Sequence, residues 1–140
     1  MFVPTGGRPF PRELVNEPIL SKAYKNWGRY GDIGFVALND KTKAIIGAAW
    51  VRLYKESDPS FGFIDEKTPE MVISVKRKYH CKSIGTQLLE NLIQTLKENG
   101  FIAISLSVDH RNPALKLYKR LGFEIIKNAE DESPVMLLKI

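Results

Sequence analysis

The chain contains one cysteine, Cys81, in 140 residues. A lone thiol excludes an internal disulfide and a multi-cysteine zinc site, and no metal is expected. No apolar run approaches the roughly 20 residues that span a bilayer. No charged-then-apolar leader opens the chain. A cytoplasmic location is the default expectation, with no membrane partner. Repeats, low-complexity tracts and linkers are also missing, so one domain over residues 1–140 is expected, with a loop-rich segment at 1–17.

What remains is ordinary for a globular protein: 44% apolar and 26% charged residues, with a net charge of +5. That modest excess suits an anionic ligand, and would also suit nucleic acid. No interleaved aromatic platform supports the nucleic-acid reading, so none is expected as a partner.

The informative stretch runs from Val75 to Gly100. An apolar run ends at Val75, a basic loop follows, and a helix is predicted to open near Ser83. Ile84, Leu88, Leu89, Leu92, Ile93 and Leu96 form a stripe along one helical face. Gly100 stands where a helix takes a left-handed stop. The first amides of a helix have no internal partner, and its dipole favours an anion there. Lys76, Arg77, Lys78 and Lys82 add charge around that mouth. The bland alternative is a solvated charge run.

Elsewhere, residues 1–11 have loop chemistry. A helix is predicted over 18–27, with Trp27 on its apolar face, and Gly28 and Gly31 end it. Strands are expected at 33–38 and 44–54, joined by a turn at Asn39-Asp40-Lys41. A loop over 56–63 leads to a central strand at 71–75. A strand at 102–108 follows the long helix. Asn112 caps a short helix with Pro113 in its first turn, and Gly122 ends that helix. Strands at 123–127 and 135–139 close the chain across a polar loop at 128–133. The fold class is α/β (α+β): a mixed, mostly antiparallel sheet flanked by helices.

Two motifs stand in order here. The first is His80-Cys81-Lys82-Ser83-Ile84-Gly85, between a strand and a helix. The second is Asn112-Pro113-Ala114, then Tyr118, then Gly122-Phe123. Together they resemble the GCN5-related N-acetyltransferases (GNAT), which move acyl groups from coenzyme A (CoA) thioesters to amines. The resemblance covers residues 33–140. The second motif is read as matching the family's Asn-x-x-Ala-x-x-x-Tyr-x-x-x-Gly-Phe at every position, while the first departs from the family's Arg/Gln-x-x-Gly-x-Gly/Ala where His80 replaces Arg or Gln and Ser83 replaces the first Gly. The family's opening strand and helix are only partly found, so an N-terminal strand/helix is expected to be missing.

The resemblance implies an acetyl-CoA-dependent N-acetyltransferase acting on an amine acceptor, small molecule or protein. The rival is a non-catalytic acyl-CoA-binding domain, and a homodimer is left open. Backbone at Cys81, Lys82, Ser83, Ile84, Gly85 and Thr86 would hold the pyrophosphate, with His80 offering a ring N–H. A serine at position 83 fits if its backbone angles are helical. The pantetheine arm would run beside Ile73, Ser74 and Val75, with the Val75 amide a candidate oxyanion donor. Asn112 and Leu117 would touch that arm. Tyr118 would face the thioester sulfur and protonate the departing thiolate, against the alternative of a core aromatic. Glu70 is the candidate base, against the alternative of a solvated strand-end carboxylate. Cys81 is not read as a nucleophile, because the family transfers directly. Trp27, Trp50, Arg52, Phe63 and Asp65 could line the acceptor side; core packing for Trp50 and a surface position for Arg52 are preferred.

Overall fold

The computed structural model describes residues 2–4 as backbone, together with residues 25–80, 83–109, 111–127 and 134–140. Among them lies a seven-stranded sheet: β1 (Phe2–Pro4), β2 (Ile33–Leu38), β3 (Ile45–Arg52), β4 (Glu70–Val75), β5 (Ala103–Ser107), β6 (Glu124–Lys127) and β7 (Val135–Lys139). Its spatial order is β1-β2-β3-β4-β5-β7-β6. Every pairing is antiparallel except that of β4 with β5.

The chain therefore opens with a strand. Phe2, Val3 and Pro4 pair with Ala37, Val36 and Phe35 of β2. The expectation of loop is corrected at residues 2–4, as is that of a missing N-terminal strand; residues 1 and 5–11 lie outside the described residues. Pro4 sits on the outermost strand, the place in a sheet where a residue without an N–H is tolerated. Most of the helix expected at 18–27 lies outside the described residues. Of its last three residues, Lys25 and Asn26 form a turn, with Asn26 at φ +57°, and Trp27 is not helical.

The long helix α1 (Ile84–Glu98) buries Leu88, Leu89, Leu92 and Leu96 completely. They pack on the sheet face formed by Phe35, Ala37, Ala49, Val51 and Met71. Full burial of a leucine side chain stabilises by about 1.5–3 kcal/mol, so this stripe dominates the core.

Both helices end in the same way. After α1, Phe101 N donates to Leu96 O and Gly100 takes φ +84°. After α2 (Ala114–Arg120), Phe123 N donates to Tyr118 O at 3.0 Å and Gly122 takes φ +106°. Each is a Schellman cap, with glycine in the left-handed position. The second cap also brings the Tyr118 and Phe123 rings together, 5.7 Å between centroids. The Tyr118…Gly122-Phe123 pattern thus has a folding role: it fixes where the Tyr118 ring stands.

Candidate active site

The site begins where β4 and β5 part. The two strands are in register at Glu70 and Ser105, and Ser105 N donates to Pro69 O at 3.0 Å. Among the described residues no later position of β4 pairs with β5. Lys76 N donates to Ile46 O at 2.8 Å, which sets the parity of β4. Even-numbered residues hydrogen-bond β3, as Ser74 does opposite Ala48. The odd-numbered residues, Met71, Ile73 and Val75, turn their backbone groups toward the wedge. Of the expected strand contacts, Ile73 and Val75 offer backbone there, while the Ser74 backbone is committed to β3.

At the mouth of the wedge, Arg77–Tyr79 forms one 3-10 turn. Asn39 Nδ2 donates to the Tyr79 hydroxyl at 3.1 Å, tying the turn to the β2–β3 connection. Lys78 Nζ lies 5.3 Å from the centre of the Tyr79 ring. His80 Nε2 lies 2.8 Å from Val75 O, so this nitrogen carries the proton and donates. The ring braces the end of β4 instead of presenting that N–H to a phosphate. Cys81 and Lys82 lie outside the described residues.

Ser83 precedes α1 with φ +62° and ψ 13°, and no side chain caps the helix. The serine is left-handed, not the right-handed helical residue its fit required. This is the conformation in which glycine is at ease and a β-carbon is strained. The first helical bond runs from Gln87 N to Ser83 O at 3.1 Å. The amides of Ile84, Gly85 and Thr86 therefore precede the helical ladder. A Cβ on Gly85 would lie 3.7 Å from both Ile73 Cδ1 and Leu117 Cδ2, ordinary contact distances. Three candidate cofactor residues converge at this point, and protein packing alone does not require the glycine.

Asn112 Oδ1 accepts from Ala114 N at 2.9 Å, confirming its capping role. It stands two residues before Ala114, one short of the spacing in the family pattern Asn-x-x-Ala. Arg111 occupies the family's asparagine position, with its guanidinium on Asp109 at 2.8 Å. The family pattern therefore holds from Ala114 to Phe123 and lapses before it.

Tyr118 is buried in the same core cluster as Met71, Ile104, Leu106 and Phe123. Burial pushes its hydroxyl up to about 12. The phenol stays protonated across the physiological range, as a proton donor must.

Glu70 is buried at 7% exposure, not solvated at a strand end. Its Oε1 accepts from Gly62 N at 2.6 Å. A Cβ at Gly62 would lie 2.6 Å from that oxygen and 2.9 Å from the backbone carbon of Leu106, so glycine is required for the approach. Opposite Glu70 on β3 is Arg52. Arg52 is 1% exposed, which overturns its expected surface position. Its Nε and Nη2 donate to Asp32 at 2.9 and 2.7 Å, and its Nη1 donates to Lys25 O. Its guanidinium lies 5.5 Å from the Trp27 ring centre. Trp50 is core, packed with Val36 and Ala48. Phe63 is half-buried, and Asp65 is exposed and accepts from Lys67 N at 2.8 Å.

Asp32 and Gly62 were missed in the sequence. A lone arginine in the apolar β3 run is the signal for a buried carboxylate partner. Nothing in the sequence marks Gly62 apart from other loop glycines.

A parallel pair that parts after one register, with a basic turn and an uncapped helix N-terminus at its mouth, suits an extended ligand ending in phosphates. That arrangement defines a class of acyl-transferring folds. Residues 5–123 match the family described as "Acetyltransferase (GNAT) family", and the chain belongs to it.

A mycothiol acetyltransferase from Corynebacterium aurimucosum is 32% identical over 80 residues. That alignment takes in 56% of this chain but 24% of the relative, so the chain spans about a quarter of that protein's length. An IAA acetyltransferase from Bacillus cereus shares the fold at TM-score 0.75 and 16% identity, covering 100% of this chain and 99% of that one. A PaiA N-acetyltransferase from Thermoplasma acidophilum, in complex with coenzyme A, is similar at TM-score 0.65 and 20% identity, covering 92% of this chain and 70% of that one.

Proposed function

We propose that this chain transfers an acetyl group from acetyl-CoA directly to an amine. The observation that carries the reading is the wedge between β4 and β5. It joins an open strand edge to the N-terminus of α1, and Leu117, the residue before Tyr118, comes up to Gly85 and Ile73 there. The residues present fit the co-substrate. Amides of Ser83, Ile84, Gly85 and Thr86 would hold the pyrophosphate, with Lys76, Arg77 and Lys82 adding charge. Cys81 contributes backbone at most. Ile73 and Val75 would hydrogen-bond the pantetheine arm as if it were another strand, beside Leu117 and Asn112. Acetyl-CoA supplies an activated thioester when bound.

The chain's own residues then move protons. Glu70, held by the Gly62 amide, takes the proton that the attacking amine must lose, directly or through one water. An amide on the wedge edge faces the developing oxyanion, with Val75 and Ile73 the candidates. Tyr118 gives its proton to the departing sulfur as the C–S bond breaks and the C–N bond forms.

Thiol release from acetyl-CoA across a broad amine panel tests the reading, together with thermal melts. Acetyl-CoA should raise the melting temperature by mass action, and dephospho-CoA should raise it less. Binding without turnover for any amine would favour the sensing domain. No thermal shift at millimolar ligand would remove the reading altogether.

A further inference from the structure

At the end of β3 farthest from the phosphate mouth, a cleft of about 580 Å³ opens between residues 25–30 and residues 52–58. One of its walls includes Arg52, the cross-strand neighbour of Glu70. The candidate base is thus one cross-strand step from a lining residue, at the end of β3 away from the α1 N-terminus.

Its charges are sorted by structure. Arg52 is committed to Asp32 and Lys25 O, and the Asp32 carboxylate neutralises its charge. Glu66 lines the cleft but accepts from Glu56 N at 2.9 Å. Asp58 lines it as well and is bridged through its backbone to Lys55. Arg29 and Lys55 also line it, and their side chains form no ion pair among the described residues. Tyr54 lines the cleft as well. Burial and the Glu70 carboxylate push its hydroxyl up to about 12, while its bond to Ser60 and the charges of Arg52 and Arg29 pull the other way. Tyr54 thus stands within the fields of both Glu70 and Arg29.

Resting on the acetyltransferase reading, we infer that this cleft is the acceptor site and that it takes an amine which also carries an anionic group, a carboxylate or a phosphate. The ammonium end is drawn toward Glu70, where it must be deprotonated. The anionic end lies toward Arg29 and Lys55, and Tyr54 packs against the body between them. A guanidinium suits either anion, because its fork matches both geometries.

Matched amine pairs provide the test. L-phenylalanine is compared with 2-phenylethylamine, and O-phosphoethanolamine with ethanolamine, with thiol release as the readout. The anionic member of at least one pair should have the lower KM by tenfold or more, and which pair responds separates carboxylate from phosphate. Arg29→Ala should raise that KM about tenfold while leaving kcat, the KM for acetyl-CoA and the KM for the partner that lacks the anionic group near wild type. Arg29→Lys should restore part of the loss. Equal KM values within both pairs, or an Arg29→Ala effect shared by the members with and without the anionic group, would overturn the inference. If no amine turns over, calorimetry of the same four amines against CoA-loaded protein decides it. Arg29-dependent binding of an anionic amine upholds the acceptor class even as the catalytic reading fails. No such binding overturns it.

Discussion

Ser83→Gly removes a side chain at one of the left-handed non-glycine positions among the described residues. Ser83 holds φ +62° at the entrance to α1. A left-handed conformation costs an L-residue about 1–2 kcal/mol. Glycine removes that cost but gives back about 0.5–1 kcal/mol in unfolded-chain entropy. The net gain is about 0.5–1 kcal/mol, or roughly 1–4 °C in melting temperature for a chain of this size. Lys43 provides the control, because it also holds φ +62° but sits in the β2–β3 connection. Lys43→Gly should stabilise by a similar amount and leave acetyl-CoA affinity unchanged. Ser83→Gly should stabilise and bind acetyl-CoA as tightly as wild type or more so, because a β-carbon is removed beside the proposed pyrophosphate position. Thermal melts and calorimetric titration read the two effects separately. A lower melting temperature for Ser83→Gly would refute the strain argument. A Ser83→Leu variant that binds acetyl-CoA as well as wild type would refute the location of the phosphates.

Gly62→Ala should destabilise by about 1–3 kcal/mol, the usual cost of forcing extra atoms into a packed site, and should slow transfer as strongly as Glu70→Gln. Acetyl-CoA affinity should hold in both; calorimetry showing that it collapses would mean the loop serves folding and not the base. Tyr54 and Tyr118 both bind their protons more tightly in the folded state, each near 12 by burial first. Their contribution is therefore whole below pH about 10 and is lost as pH rises toward about 12, at about 1.4 kcal/mol per pK unit. Denaturant melts from pH 9 to 11.5 should show that decline. Tyr118→Phe should flatten part of it, and an unchanged slope would contradict the burial argument.

The elements with strong periodicity were legible. The strand at 33–38, the α1 stripe and both glycine stops stand where the sequence puts them, because apolar spacing and left-handed caps are local signals. β1 was hidden because Pro4 reads as loop chemistry, and only its pairing to β2 makes a strand of it. The first motif marked the proposed phosphate mouth, yet the His80–Val75 bond and the left-handed Ser83 follow from three-dimensional closure of the loop. Glu70 was legible as a candidate, but its burial under Gly62 was not. That burial depends on how the loop after β3 folds back over β4, which no spacing records. The cleft at Arg29 and Lys55 was invisible for the same reason, since its two walls are more than twenty residues apart in sequence.

The central claim is that Tyr118 donates the proton that completes acetyl transfer. Tyr118→Phe tests it most directly, read as single-turnover rate beside acetyl-CoA affinity and melting temperature. The ring is retained, and among the described residues nothing hydrogen-bonds the hydroxyl, so packing and stability should hardly change. The account predicts a rate lower by about 10²-fold or more with affinity nearly unchanged. A Tyr118→Phe enzyme that turns over at the wild-type rate with the same affinity would make Tyr118 a core aromatic and contradict the account.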